Sequence, residues 1–459
     1  MHLSLIHPHR ARRRGFEIDM LNGPVMPRLL AFSVPLILSS VLQLTFNAAD
    51  VIVVGRFEGD AALAAVGAPG SLINLLVNLF LGLSVGVNVV VARHHGAGDY
   101  TQTSQSVHTG MLLGLLSGVG VGILGFIMAG SFLSWMNTTP DVLPLATAYM
   151  RIYFLGMPAN MVYNFGAAVL RAVGDTRRPL MYLTVAGVVN VILNVVFVAL
   201  FHMGVRGVAL ATIASQIISA TLVTLCLMRT DGDIRLSLKK LGLRGDKVAA
   251  IAKIGLPAGL QGICFSISNV IIQSTVNSFG TVAIAGNTVA SNIEGYIYVS
   301  MNAQHQAAIT FVSQNVGARK YERIGRVARA ALLAVTGIGL GMGLLLLAGM
   351  RGLFGIYTSD DAVIAAAAIR SRIIAPTYFL CGTMDVMVGV LRGMGVSVMP
   401  MIVTLLGVCA FRLLWIFLAY PLNPTLNMLY LSYPISWLIT FAVQLVCYLY
   451  VKKKRFGAR

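Results

Sequence analysis

Leu170-Arg171-Ala172-Val173-Gly174-Asp175-Thr176-Arg177-Arg178-Pro179 is answered 221 positions later by Leu391-Arg392-Gly393-Met394-Gly395-Val396-Ser397-Val398-Met399-Pro400. The same step carries Gly59, Gly96 and Tyr100 onto Gly280, Gly317 and Tyr321. Turn and helix-end residues therefore repeat in register across residues 59–179, which chance matches rarely do. Two copies of one hydrophobic unit point to a membrane transporter whose substrate path lies between the repeats.

Composition agrees. A mean hydropathy of +0.81, with 57% hydrophobic and 11% charged residues, excludes a soluble globular protein. Apolar runs of 20 residues or more predict membrane helices over 28–54, 61–92, 106–135, 142–173, 180–200, 205–228, 250–275, 283–313, 327–352, 362–393, 399–420 and 426–451. No window alternates as a barrel strand does. The expected fold is an all-α integral membrane protein, its twelve helices forming two six-helix bundles. Because each half holds an even number of helices, the bundles are related by a pseudo-twofold along the membrane normal. The expected layout is an N-terminal segment 1–27, a first lobe 28–228, a polar linker 229–249, a second lobe 250–451 and a basic tail 452–459.

Basic residues orient the chain. Arg10, Arg12, Arg13, Arg14 and Arg28 precede helix 1; Arg171, Arg177 and Arg178 lie between helices 4 and 5. Further clusters fall between helices 6 and 7, after helix 8 and after helix 12, whereas the opposite gaps hold Arg56, Arg206 and Arg351. Both termini are expected on the cytoplasmic side of the membrane. The net charge of +18 then faces anionic headgroups; a nucleic-acid partner would need those cations on one surface. The first 19 residues carry arginines without an apolar core, so no cleavable signal peptide is expected. Cys226, Cys264, Cys381, Cys409 and Cys447 stand isolated in apolar helices, without ligand spacing. No Walker A motif occurs, so neither ATP-driven transport nor an ATPase subunit is expected. An enzyme is not expected either, for want of clustered His, Cys or paired carboxylates at membrane depth.

Of 16 acidic residues, Asp50, Glu294 and Asp385 alone fall inside predicted helices. Placing an ionisable group at membrane depth costs roughly 2.5–3.5 kcal/mol, which makes each a functional candidate. The structural alternative is pairing with a cation such as Arg412, Arg372 or Arg151. Counting from the outer boundary sets Asp50 level with Asn194 on helix 5 and Thr212 on helix 6, with Asn190 one turn deeper. Asn190 and Asn194, spaced i, i+4, share a helix face. The group could cage Na⁺ with its oxygens. Asp50 could instead carry a proton, since desolvation favours the neutral form. An ordinary interhelical hydrogen-bond network, worth about 1 kcal/mol per contact, is the third reading. In the second lobe Glu294 stands among Asn292, Tyr296, Tyr298 and Asn302. A carboxylate beside aromatic rings suits cationic amphipathic ligands; Gln43 joins this set as a cavity candidate. Asp385 is expected to pair with Arg392 or another nearby cation, and His305 to pack between helices in preference to relaying protons. Pro35, Pro158, Pro257, Pro376 and Pro434 should kink their helices.

These residues resemble a known family. The run from Pro35 through Phe46-Asn47-Ala48-Ala49-Asp50 to Gly55-Arg56 resembles the opening helix of the MATE (multidrug and toxic compound extrusion) transporters, in a bacterial or archaeal DinF-like or related branch. The Leu170–Leu180 stretch resembles that family's loop between helices 4 and 5. The resemblance covers about 22–452 and implies export of organic cations against inward H⁺ or Na⁺, without other cofactor. It also implies a cation site at Asp50, Asn190, Asn194 and Thr212, and a helix-1 bend at Pro35. The second helix-5 position is commonly aspartate in the family, and Asn194 removes that charge, which weakens Na⁺. The expectation is a monomeric multidrug antiporter of a prokaryotic inner membrane, in contact with membrane lipids. Its rival, a lipid-linked oligosaccharide or polysaccharide flippase of the same superfamily, would need a cavity lined by arginines such as Arg151, Arg370, Arg372 and Arg412.

Overall fold

The repeated Leu-Arg stretch is a helix end in both halves. Gly174 and Gly395 adopt φ of 97° and 83°, a left-handed conformation that glycine reaches without a Cβ clash. Each donates its N–H three residues back, to Arg171 O (2.9 Å) and Arg392 O (2.8 Å). The next residues, Asp175 and Val396, bond to Leu170 O (3.0 Å) and Leu391 O (2.9 Å). One capping motif is thus built twice.

The structure, a computed structural model, describes residues 16–456 except 59, 68 and 137. Gly59 and Arg10, Arg12, Arg13 and Arg14 lie outside the described residues. Helix 1 is Val25–Phe57; helix 2 is Asp60–Gly67 and Gly70–Gly96; helix 3 is Tyr100–Trp135; helix 4 is Leu143–Leu155 and Met157–Ala172. Helix 5 is Arg177–Leu200 and helix 6 is Gly204–Arg229. The second half follows the same plan: helix 7 (Gly245–Asn277), helix 8 (Thr281–Gly317), helix 9 (Tyr321–Gly355), helix 10 (Asp361–Gly393), helix 11 (Val398–Leu422) and helix 12 (Leu426–Phe456). No strand occurs among the described residues. Ten of these are long and apolar enough to cross a membrane. Helix 4 falls short because it breaks at Gly156 before Pro158, and helix 8 because amides, Glu294 and His305 interrupt its 37 residues. The fold is the expected integral membrane pair of six-helix bundles.

Proline breaks the chain in two of the five expected places. Helix 4 divides at Gly156 and helix 10 passes through a 3-10 turn, Ala375–Thr377, at Pro376. Helices 1, 7 and 12 run unbroken through Pro35, Pro257 and Pro434. Packing repeats as faithfully as capping. A Cβ on Gly118 or Gly122 of helix 3 would meet Pro158 or Phe154 of helix 4. Gly339 and Gly343 of helix 9 stand 221 residues on, against Phe379 and Ala375, the counterparts of Pro158 and Phe154.

The lobes join around the pseudo-twofold. Gly96 lies against the backbone of Gln314, and Gly317 against that of Arg93; since 93 + 221 = 314 and 96 + 221 = 317, this is one contact made twice. Nearby, Thr310 Oγ1 donates to Asn88 Oδ1 (3.1 Å) and Gln314 Nε2 to Ala172 O (2.7 Å). The segment before helix 1 completes the closure. Ile18 N–H donates to Gly174 O (3.2 Å) on one lobe, while Asn315 Nδ2 (3.1 Å) and Lys320 Nζ (2.9 Å) of the other donate to the carbonyls of Met20 and Leu21. The lobes therefore meet at the end that bears the termini. Two adjoining cavities lie above that seal, one between the lobes and one inside the second.

Candidate functional site

Asp50 is brought to helix 5 by a close approach one turn earlier. The Phe46 ring sits directly on Gly187, where any side chain would collide, so the Phe46–Asp50 face of helix 1 lies on the Gly187–Asn190–Asn194 face of helix 5. Asn194 Nδ2 donates to Asp50 Oδ1 and also to Asn190 Oδ1 (3.2 Å). Asn190 and Asn194 are buried; Asp50 is half-buried. Thr212 is not drawn in: its hydroxyl donates to Val208 O of its own helix (3.0 Å). Immediately after Asn194, helix 5 becomes a π-helix over Val195–Leu200, a local widening often found beside functional groups. Tyr149 and Tyr153 of helix 4, stacked at 6.0 Å, lie within electrostatic reach of Asp50. Their i, i+4 spacing was the available signal for them.

The second-lobe cavity, about 650 Å³, is lined by Glu294, Tyr298, Asn302 and Asp385 together with Arg370, Arg392 and Arg412. Glu294, 1% exposed, is not a free carboxylate. Arg370 Nε (3.0 Å) and Nη2 (2.8 Å) both donate to its Oε2, and Ser371 Oγ donates to its Oε1 (3.1 Å). Arg370 Nη1 goes to Asn287 Oδ1 (2.9 Å), which also accepts from Tyr430 (3.1 Å). The structural alternative of a paired acid holds here, and the charge expected to attract cations is neutralised. Asp385 departs from expectation too: no cation stands within 4.0 Å of it among the described residues, although Arg392 is within electrostatic reach. His305 packs as expected, its Nδ1–H donating to Asp385 O (2.5 Å). Tyr296 lines neither cavity.

The cavity between the lobes, about 400 Å³, is lined by Gln43, Asn78, Asn164, Asn302 and Gln306, and by Arg171 and Arg392. These two arginines, 221 residues apart, stand at helix ends facing the interior, although the charge count places Arg171 between helices 4 and 5. Arg151 and Arg372 are also 221 apart but exposed, Arg151 over the Phe126 ring at 5.7 Å, and they line neither cavity. The sites themselves break the repeat. Counterparts of Asp50, Asn190, Asn194 and Thr212 are Ile271, Phe411, Trp415 and Tyr433; those of Glu294, Arg370 and Arg412 are Ile73, Tyr149 and Val191. Scaffold was kept in both halves while chemistry diverged.

Comparison with known proteins places this arrangement. The MatE family profile matches residues 35–196 and 257–420, one block in each lobe. The chain is 26% identical over 394 residues to the "Probable multidrug resistance protein YpnP" of Bacillus subtilis (strain 168), covering 86% of this chain and 88% of that one. It is 25% identical over 320 residues to a protein named "FAD transporter" of Shewanella oneidensis, covering 68% and 69%. The solved structure of a MOP superfamily transporter from Pyrococcus furiosus superposes with a TM-score of 0.89 at 20% identity, over 95% of this chain and 98% of that chain.

Proposed function

The chain belongs to the MatE family, and on that premise we propose a secondary active exporter of amphipathic organic compounds, driven by inward H⁺ or Na⁺ at Asp50. The protein is an integral membrane protein; we place the terminus-bearing end in the cytoplasm, where the positive-inside rule puts it. The observation that carries the reading is Asp50 itself, a helix-1 carboxylate held by an amide of helix 5 within the first lobe. An ion arriving there changes the charge at the junction of two helices, and helix 1 runs from that junction through Pro35 to the seal at the opposite end.

The donor set leans toward H⁺. Asp50 is the one carboxylate among Asp50, Asn190, Asn194 and Thr212, and a single negative charge is a weaker match to a bound Na⁺ than to a proton. Each unit charge moving inward across 100 mV supplies about 2.3 kcal/mol, enough for tens-fold accumulation of an exported compound. Alternating access then amounts to opening the seal at the cytoplasmic end while the opposite end closes. The cationic leaning expected from Glu294 loses its support, because Arg370 occupies that carboxylate. Relatives named for multidrug resistance and for FAD transport support varied organic cargo instead. The flippase reading gains three cavity arginines, but Glu294 and Asp385 offset two of them, so it is not preferred.

The test is gradient-driven ethidium movement in liposomes holding the purified protein, with proton and sodium gradients imposed separately. Wild type should move dye under one gradient, naming the ion. Asp50→Asn should abolish that movement while leaving ethidium binding within about twofold. Undiminished transport by Asp50→Asn would remove Asp50 as the coupling group, and no movement of either ethidium or an anionic dye by folded wild type under either gradient would remove the antiporter.

A further inference from the structure

We propose that the second-lobe cavity binds the acidic group of an aromatic organic anion (a carboxylate, sulfonate or phosphate ester), with Arg412 as its anchor. This names the substrate class of the exporter proposed above and rests on that reading.

The cavity's charges do not balance. Arg370, Arg392 and Arg412 line it with Glu294 and Asp385, three cations to two acids. Arg370 is consumed by Glu294, which its Nε and Nη2 both reach. Arg392 has no acid within 4.0 Å either among the described residues, but its Nη2 donates to Gln261 Oε1 (2.8 Å) and Asp385 lies within electrostatic reach of it. Arg412 is left over: it is 2% exposed, and no acid lies within 4.0 Å of it among the described residues. An unpaired guanidinium at this depth is costly, which makes it a site by default.

Its surroundings hold the group without using its fork. Nε donates to Ser436 Oγ (3.1 Å), and the guanidinium carbon stands 4.1 Å from the centre of the Tyr433 ring and 5.8 Å from that of Trp437. The two terminal nitrogens have no hydrogen-bond partner among the described residues, and neither is sealed from solvent. They present the planar pair of donors that matches two oxygens of an oxyanion. Helix 11 aims the side chain: Arg412 sits in a four-residue α piece, Phe411–Leu414, between π segments Leu405–Ala410 and Trp415–Ala419. Beside it Tyr378 stacks on Trp437 at 5.4 Å, a wall on which an aromatic ring can lie. The adjoining cavity between the lobes shares Asn302 and Arg392 with this one and has no acid among its described lining residues, so an anion meets no carboxylate on that side.

The test uses the full-length protein in detergent, with 5-carboxyfluorescein as the anionic probe followed by fluorescence anisotropy. Wild type should bind it, and Arg412→Gln should weaken binding roughly tenfold or more, the size of a charge-assisted hydrogen-bond loss. Arg412→Lys should fall between, and ethidium binding should not follow the series. Should Arg412→Gln fail to fold, competition on wild type decides: p-toluenesulfonate should displace the dye and tetraphenylphosphonium should not. Absence of carboxyfluorescein binding by wild type, displacement by the cation alone, or equal binding by folded Arg412→Gln each overturns the anion site. The exporter reading fails separately: dye held through Arg412 but moved by no gradient leaves the site and removes the transport, whereas driven ethidium movement without carboxyfluorescein binding does the reverse.

Discussion

Arg370 and Glu294 show how a buried pair differs from a buried charge. Each is largely removed from water, and each satisfies the other through two nitrogens on one oxygen. Removing one partner of such a pair typically costs 3–5 kcal/mol, whereas replacing both with apolar or neutral groups of similar volume costs far less. Arg370→Met should therefore lower the thermal unfolding midpoint in detergent markedly, and Arg370→Met combined with Glu294→Gln should recover most of the loss. Equal midpoints for the single and double variants would show that the pairing contributes little. Asp50 is the contrasting case: its partner is a neutral amide, so Asp50→Asn should leave the unfolding midpoint close to wild type while removing coupling. Both acids were legible in the sequence as charges inside apolar runs. Which one was neutralised was not, because Arg370 lies 76 residues from Glu294 and only helix packing brings them together.

Among the helices, duplication preserved close contacts and then relaxed some. Helix 2 meets helix 7 through Gly82, Gly86, Gly255 and Gly259, each directly against the opposite backbone. At the symmetry-related seam of helices 8 and 1 the counterparts are Ala303, Ala307, Val34 and Leu38, and the contact is less extensive. Small residues let backbones approach closely, and dispersion then binds the helices. Gly259→Val, whose side chain would strike the backbone of Leu79, should lower both the unfolding midpoint and the transport rate. Leu38→Ala, at the equivalent position on helix 1 and already half exposed, should change neither by much. If the two substitutions proved equally harmful, the helix 2–helix 7 seam would not be the tighter one. Which backbone each of these glycines meets was not readable in the sequence, since helical periodicity reports a face and not what covers it.

Across the whole molecule, the closed end is held by contacts that must break for the cavities to face the other way. Ser33 Oγ of helix 1 lies 3.1 Å from Gln304 Oε1 of helix 8, and the Phe32 and Phe311 rings meet edge to face nearby at 5.7 Å. A cysteine pair at positions 33 and 304, in a background with the five native cysteines replaced, should cross-link on oxidation. Transport should then stop and return on reduction. Transport that continued in fully cross-linked protein would show that helices 1 and 8 need not separate at that level.

Hydropathy and the 221-residue step determined the helices and their pairing into two like bundles, because these depend on local composition and on repetition. The helix-1 aspartate and its helix-5 amides were equally visible, since depth within a helix can be counted along the chain. Only the tertiary structure decided that Thr212 stays on its own helix, that Glu294 is ion-paired and that Arg412 has no acid within 4.0 Å among the described residues. It also turned Arg171 and Arg392 inward from their helix ends. The physical reason is the same in each case. The cost of a charge at membrane depth is set by its position, but whether a partner meets that cost depends on residues distant in the chain and adjacent only in the packed bundle.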